Sequence, residues 1–205
     1  MRMKEFWSIC KRLANDERMD VLRTVMCSTG EGLSVNDIAD GLRLGQSATS
    51  QYLKQLAEEC ALVKAKREGR YVVYSVAEPT GPWRELIPAL REYFRKECAA
   101  KTFVNGRRPP APPFIRILPA LANADRIRVV RFLRRKGAAS KTDIMSATHL
   151  TELNVRRHVD VIVECGLADL GDTQEIMGKE RSSFDNIVWK EPVDPIELLF
   201  LAAAL

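Results

Sequence analysis

"LSVNDIADGLRLGQSATSQYLKQL", Leu33 to Leu56, contains two helical periodicities separated by a break. Val35, Ile38, Ala39 and Leu42 recur at the spacing of a short helix that ends near Gly41 to Gly45, where a tight turn follows. From Gln46 onward, Thr49, Leu53 and Leu56 form the apolar stripe of another helix. That stripe leaves Ser47, Ser50, Gln51 and Lys54 together on the opposite face. Upstream, Met19, Leu22, Val25 and Met26 predict a longer helix. Downstream, "LVKAKREGRYVVYSV" (Leu62 to Val76) alternates around Glu68-Gly69 and predicts a hairpin.

Helix, short helix, turn, helix with a small polar outer face, basic hairpin: this order predicts a winged helix-turn-helix, a mainly α fold with small β-hairpin wings (α+β). The residue types suit duplex reading. A helix in the major groove needs short side chains such as Gln46, Ser47, Ser50 and Gln51, which both donate and accept at base edges, with Lys54 at the end of the same face. Lys64, Lys66, Arg67 and Arg70 on the hairpin supply positive charge for phosphates beside the groove.

The chain then repeats itself. Leu13, Ala14, Asn15, Arg18, Val21 and Arg23 of "LANDERMDVLR" recur as Leu121, Ala122, Asn123, Arg126, Val129 and Arg131 of "LANADRIRVVR". Asp37-Ile38 matches Asp143-Ile144, Leu44 matches Leu150, and Leu53/Leu56 match Val159/Ile162. After one extra residue in the first copy, "ECALV" (Glu59 to Val63) matches "ECGLA" (Glu164 to Ala168). A period of about 106 residues is too long for a solenoid, so it predicts two tandem domains, 1–104 and 114–205. Between them "NGRRPPAPP" (105–113), with four prolines, reads as a semi-rigid linker.

"LANDERMDVLR", "LSVNDIADGLRLGQSATSQYLKQL" and "LVKAKREGRYVVYSV" resemble the arsenic-repressor (ArsR/SmtB) family of bacterial transcription regulators, over about residues 8–101 and more faintly 115–190. The resemblance implies a homodimeric repressor that occupies a promoter operator and leaves it when an effector binds. In the family's metal sensors, the second helix of the DNA-binding unit carries a Leu-Cys-Val-Cys-Asp-Leu type box. Here Leu33-Ser34-Val35-Asn36-Asp37-Ile38 stands in its place, and neither Ser nor Asn supplies a thiolate, so no soft-metal site is expected. A second metal site in some relatives needs His on the helix after the wing. "GPWRELIPALREYFRKECAAK" has none; both histidines, His149 and His158, lie in the second copy, with no ligand partner at chelating spacing. Some relatives instead pair two cysteines, one before the regulatory helix and one after the wing. Cys27 and Cys98 lie in those segments, although Arg23 occupies the position where the first thiol is expected. Cys60 and Cys165 match each other and read as small buried apolar residues.

The copies differ in charge. Residues 1–108 hold 19 Lys+Arg and 14 Asp+Glu, whereas residues 109–205 hold 13 of each, so the net +5 lies in the first half. On the second recognition helix Ser47, Ser50, Gln51 and Lys54 become Leu153, Arg156, Arg157 and Asp160, and the second wing carries Asp169, Asp172 and Glu175. The first copy is therefore expected to read DNA and the second to serve assembly or effector binding, with Asn154, Arg156 and Arg157 as its remaining candidates for DNA contact. The apolar stripe Trp83, Leu86, Leu90, Tyr93 and Phe94, with the tail "PIELLFLAAAL", suggests a helix partner: a homodimer, or a pseudo-dimer within one chain. A protein-binding adaptor is the rival reading. No phosphate loop, G-x-S-x-G or HExxH motif points to an enzyme, and no cofactor is implied. Five scattered cysteines without CxxC, no signal-peptide core and no membrane span predict a cytoplasmic protein.

Overall fold

The same polar residue starts the same helix in each half. Asn15 and Asn123 both sit in extended backbone and accept backbone N–H bonds from the first turn that follows, satisfying donors that the helix itself cannot. Those helices are α2 (Asp16–Cys27) and α7 (Ala124–Lys136). The computed structural model describes residues 3–28, 32–80, 83–100, 112–171, 186–192 and 194–204. It is mainly helical with two small antiparallel sheets. The chain divides into two units, Arg12–Pro112 and Pro113–Leu205, the latter together with Arg2–Lys11. Most of α1 (Met3–Leu13) thus groups with the second unit, where the sequence reading of 1–104 had placed it with the first. Its apolar periodicity announces a buried face but not which core receives it. Of the expected linker, residues 105–111 lie outside the described residues, and Pro113 already opens a 3-10 turn, Pro113–Ile117.

In the first unit α2 is followed by β1 (Leu33–Ser34), α3 (Val35–Leu42), α4 (Gln46–Lys54), the hairpin β2 (Val63–Glu68) and β3 (Tyr71–Val76), and α5 (Trp83–Ala100). β1 pairs with β3, Leu33 opposite Tyr74, so the sheet order is β1-β3-β2. Ser34 then caps α3: it accepts from the Asp37 N–H while the Asp37 carboxylate accepts from the Ser34 N–H, a reciprocal capping box. Hydrogen bonds from the Ser34 side chain and backbone hold the Asp37 carboxyl below its usual value. Ser34 therefore has a structural task.

The second unit repeats this plan after α6 (Leu118–Leu121) and α7, with β4 (Ala138–Ala139), α8 (Lys141–Thr148), α9 (Glu152–Glu164), β5 (Ala168–Leu170), β6 (Ile187–Trp189) and α10 (Pro195–Ala204). Its sheet order, β4-β6-β5, matches the first, and Ser140 with Asp143 forms the same capping box. The left-handed residue ending α3, Arg43 (φ 56°), has its counterpart in His149 (φ 57°) at the end of α8.

The extra residue of the first copy has a visible destination. Where α9 runs as continuous α-helix to Glu164, α4 passes into a π-helical turn, Gln55–Glu59, closed by Cys60 N–H to the Gln55 carbonyl at 3.1 Å. One residue is absorbed in the wider turn, and register returns at Cys60 and Cys165. Both are followed by a left-handed residue, Ala61 (φ 52°) and Gly166 (φ 73°). Among the described residues no helix is long and apolar enough to cross a membrane.

Most of the apolar stripe of α5 faces inward. Trp83, Leu86, Leu90 and Phe94 are buried, as are Phe200 and Leu201 of the tail, whereas Tyr93, Leu198 and Leu199 are half-buried.

Candidate nucleic-acid interface

Thr49, Leu53 and Leu56 are fully buried, which fixes the rotation of α4. Gln46, Ser47, Ser50, Gln51 and Lys54 are all exposed in consequence. Tyr52 secures the helix from the side: its hydroxyl donates to Glu17 Oε2 at 2.6 Å, and the Arg18 guanidinium lies 5.3 Å from its ring centre. Lys54 approaches Glu58 at 4.0 Å with both side chains about two-thirds exposed, a contact of little strength.

The hairpin turns through Gly69 and Arg70, with Gly69 at φ 62°, a conformation that favours glycine in a two-residue turn. Its four basic side chains are all exposed but are not equivalent. Lys64 pairs with Glu78 at 3.0 Å and Lys66 with Glu68 at 2.9 Å. Arg67 makes only a 3.4 Å bond from Nε to the Gly69 carbonyl, and Arg70 has no hydrogen bond or ion pair among the described residues. The two arginines thus carry the charge that is open to a polyanion. Beside them, Tyr71 is 67% and Val72 40% exposed. The sequence reading passed over Tyr71, although its place directly after the turn, out of phase with buried Tyr74, was the available signal.

In the second unit Asn154, Arg156, Arg157 and Asp160 are exposed on α9, and Leu153 stands 57% exposed among them. Lys141 pairs with Glu152 at 2.7 Å. Asp169 on β5 pairs with Lys190 at 2.6 Å; Asp172 and Glu175 lie outside the described residues. His158, which replaces Tyr52, is partly buried, and its imidazole is held below its ordinary pKa by that burial and by Arg126 and Arg128, against the pull of Asp125. Among the described residues no group of three His, Cys, Asp or Glu side chains is placed to hold a metal ion.

The cysteines separate into two kinds. Cys27, at the end of α2, and Cys98, on α5, form a disulfide with 6.8 Å between their Cα atoms. Cys10, Cys60 and Cys165 are free and buried. Burial pushes the Cys60 thiol up to about 12 and raises Cys165 as well, which leaves both without thiolate at neutral pH. Arg23, one turn before Cys27, is buried at 4% exposure; it reaches Asp20 at 3.2 Å and Glu97 at 3.5 Å, with its guanidinium 5.6 Å from the Phe94 ring centre. The Arg23–Glu97 ion pair and the Cys27–Cys98 disulfide therefore join α2 to α5.

No family model matches the chain, and no curated protein matches it either.

Proposed function

We propose that this protein is a sequence-specific DNA-binding transcriptional regulator of the arsenic-repressor type, built from two tandem winged helix-turn-helix units, the first of which reads the duplex. The observation that carries the reading is the exposed face of α4, Ser47, Ser50, Gln51 and Lys54 at i, i+3, i+4 and i+7, beside a hairpin whose Arg67 and Arg70 are open to phosphate. In this reading α4 enters the major groove and β2–β3 is the wing. The second unit reads little DNA itself: Asp160 would face phosphate, and exposed Leu153 fits a protein contact or a thymine methyl. Arg156, Arg157 and Asn154 supply the remaining hydrogen-bonding capacity there. The role is one of binding and not catalysis. The protein acts as a homodimer on its operator, as the resemblance implies, with a pseudo-dimer within one chain as the alternative; sedimentation of the operator complex gives the stoichiometry.

The test begins with selecting preferred duplexes from a random pool. On the selected site Gln51→Ala is expected to cost about 1–3 kcal/mol and relax specificity, whereas Arg70→Ala weakens all duplexes alike and lowers the salt slope by about one. Small and equal losses from both would remove α4 from the groove.

A thiol-responsive mode is favoured by one observation, the joining of Cys27 to Cys98. In a reducing compartment such a bond is transient and signals oxidation. Oxidation by diamide is expected to lower operator affinity about fivefold or more relative to the dithiothreitol-treated protein, within the usual range of coupling between two sites. Cys98→Ser should abolish the difference. Equal affinity of the oxidised and reduced wild type would retire this mode.

A further inference from the structure

A groove of about 440 Å³ lies in the first unit between the strand-to-helix connection and α5. That volume is in the range that takes up a small organic ligand. Its apolar lining residues are Val76, Ala77 and Pro79 on one side and Ile87 and Pro88 on α5. Pro88 has no N–H, so it also frees the carbonyl four residues before it from the helical ladder. The other edge holds Glu78, Arg91, Glu92 and Arg95.

The ion pairs decide the sign of that edge. Glu78 is engaged by Lys64 at 3.0 Å and Glu92 by Lys96 at 3.4 Å, both lysines coming from outside the groove. Arg95 touches Glu92 only at 3.9 Å, with both side chains more than half exposed, a pairing of small worth. Arg91 has no hydrogen bond or ion pair among the described residues. Arg91 and Arg95, one helical turn apart on one face of α5, line the groove beside its apolar residues, and each of its two carboxylates has a lysine from outside the groove as its nearer partner.

We infer that this groove binds a small organic anion: an aliphatic or aryl body seated on Val76, Pro79, Ile87 and Pro88, with a carboxylate held by Arg91 and Arg95. This goes beyond the reading of α4 and does not depend on it, since none of these residues lies on the exposed face of that helix.

The experiment titrates the full chain with octanoate, decanoate and phenylbutyrate and with the corresponding neutral amides, by calorimetry, and follows the Val76 and Ile87 methyl resonances. The acids are expected to bind and shift those methyls, and the amides to bind about tenfold more weakly or worse, because they forfeit the charge-assisted bonds. Arg91→Met/Arg95→Met is expected to erase the preference for acid over amide while leaving the thermal unfolding midpoint in place, as both positions are exposed. Absence of binding by all three acids, equal binding of acid and amide, shifts confined to other methyls, or an undiminished preference in the double variant would each overturn the inference.

Discussion

Phe94→Ala is expected to destabilise the first unit by about 3–5 kcal/mol, the range for removing a fully buried phenyl ring. The ring is wholly buried on α5. It lies edge-on to Tyr93, with ring centres 5.6 Å apart, and the buried Arg23 guanidinium of α2 stands over it. Truncation removes the transfer free energy of the ring and leaves a cavity at the meeting of α2 and α5, beneath a cation that then loses its π-face. Phe94→Leu keeps most of the volume and should cost far less, while Lys96→Ala, at an exposed site of the same helix, should stay within about 0.5 kcal/mol of wild type. Urea unfolding under reducing conditions measures the loss, and hydrogen exchange of α2 and α5 peptides locates it. A loss below about 1 kcal/mol would mean that the ring is not a keystone of the α2–α5 packing.

Arg116→Met is expected to cost the second unit about 2–4 kcal/mol, below the 3–5 typical of breaking a buried pair because the guanidinium is itself half exposed. Glu197, in the first turn of α10, is completely buried, and its two carboxylate oxygens accept from Arg116 Nε at 2.7 Å and Nη2 at 3.0 Å. Such a fork satisfies a carboxylate that water cannot reach. Hydrogen bonding to Glu197 in turn raises the Arg116 pKa. Without the arginine the buried charge has no counterpart, and α10, whose Phe200 stacks on Phe114 at 5.7 Å, should loosen first. Arg116→Met/Glu197→Leu removes both charges and is expected to be more stable than Arg116→Met alone. If the double variant is the less stable of the two, the unpaired charge is not the cause.

Several particulars show how far the chain could be read before it folded. Asn15 and Asn123, and Asp37 and Asp143, stand at matching positions of the two copies, and in the fold each pair caps equivalent helices, because a cap is a local hydrogen-bond solution written in three or four adjacent residues. The stripe Thr49, Leu53 and Leu56 oriented α4 by period alone. By contrast β1 and β4, two residues each, were not anticipated: they pair with strands far along the chain, and such short runs carry no periodicity of their own. The one-residue offset between the copies was evident, but its absorption in a π-helical turn depends on the buried positions that must stay in register on either side.

The sequence by itself therefore determined the duplicated plan, the rotation of α4 and the basic hairpin, all governed by spacing within one element. Tertiary structure decided which charges remain open: Lys64 and Lys66 find Glu78 and Glu68, while Arg70 and Arg91 find nothing among the described residues. It also brought Cys27 to Cys98 across 71 residues, with Arg23 filling the neighbouring position as a buried cation, and it turned most of the α5 stripe inward. Ion pairs, a disulfide and burial depend on distances between segments remote in sequence, and only the packing of one helix on another sets those distances.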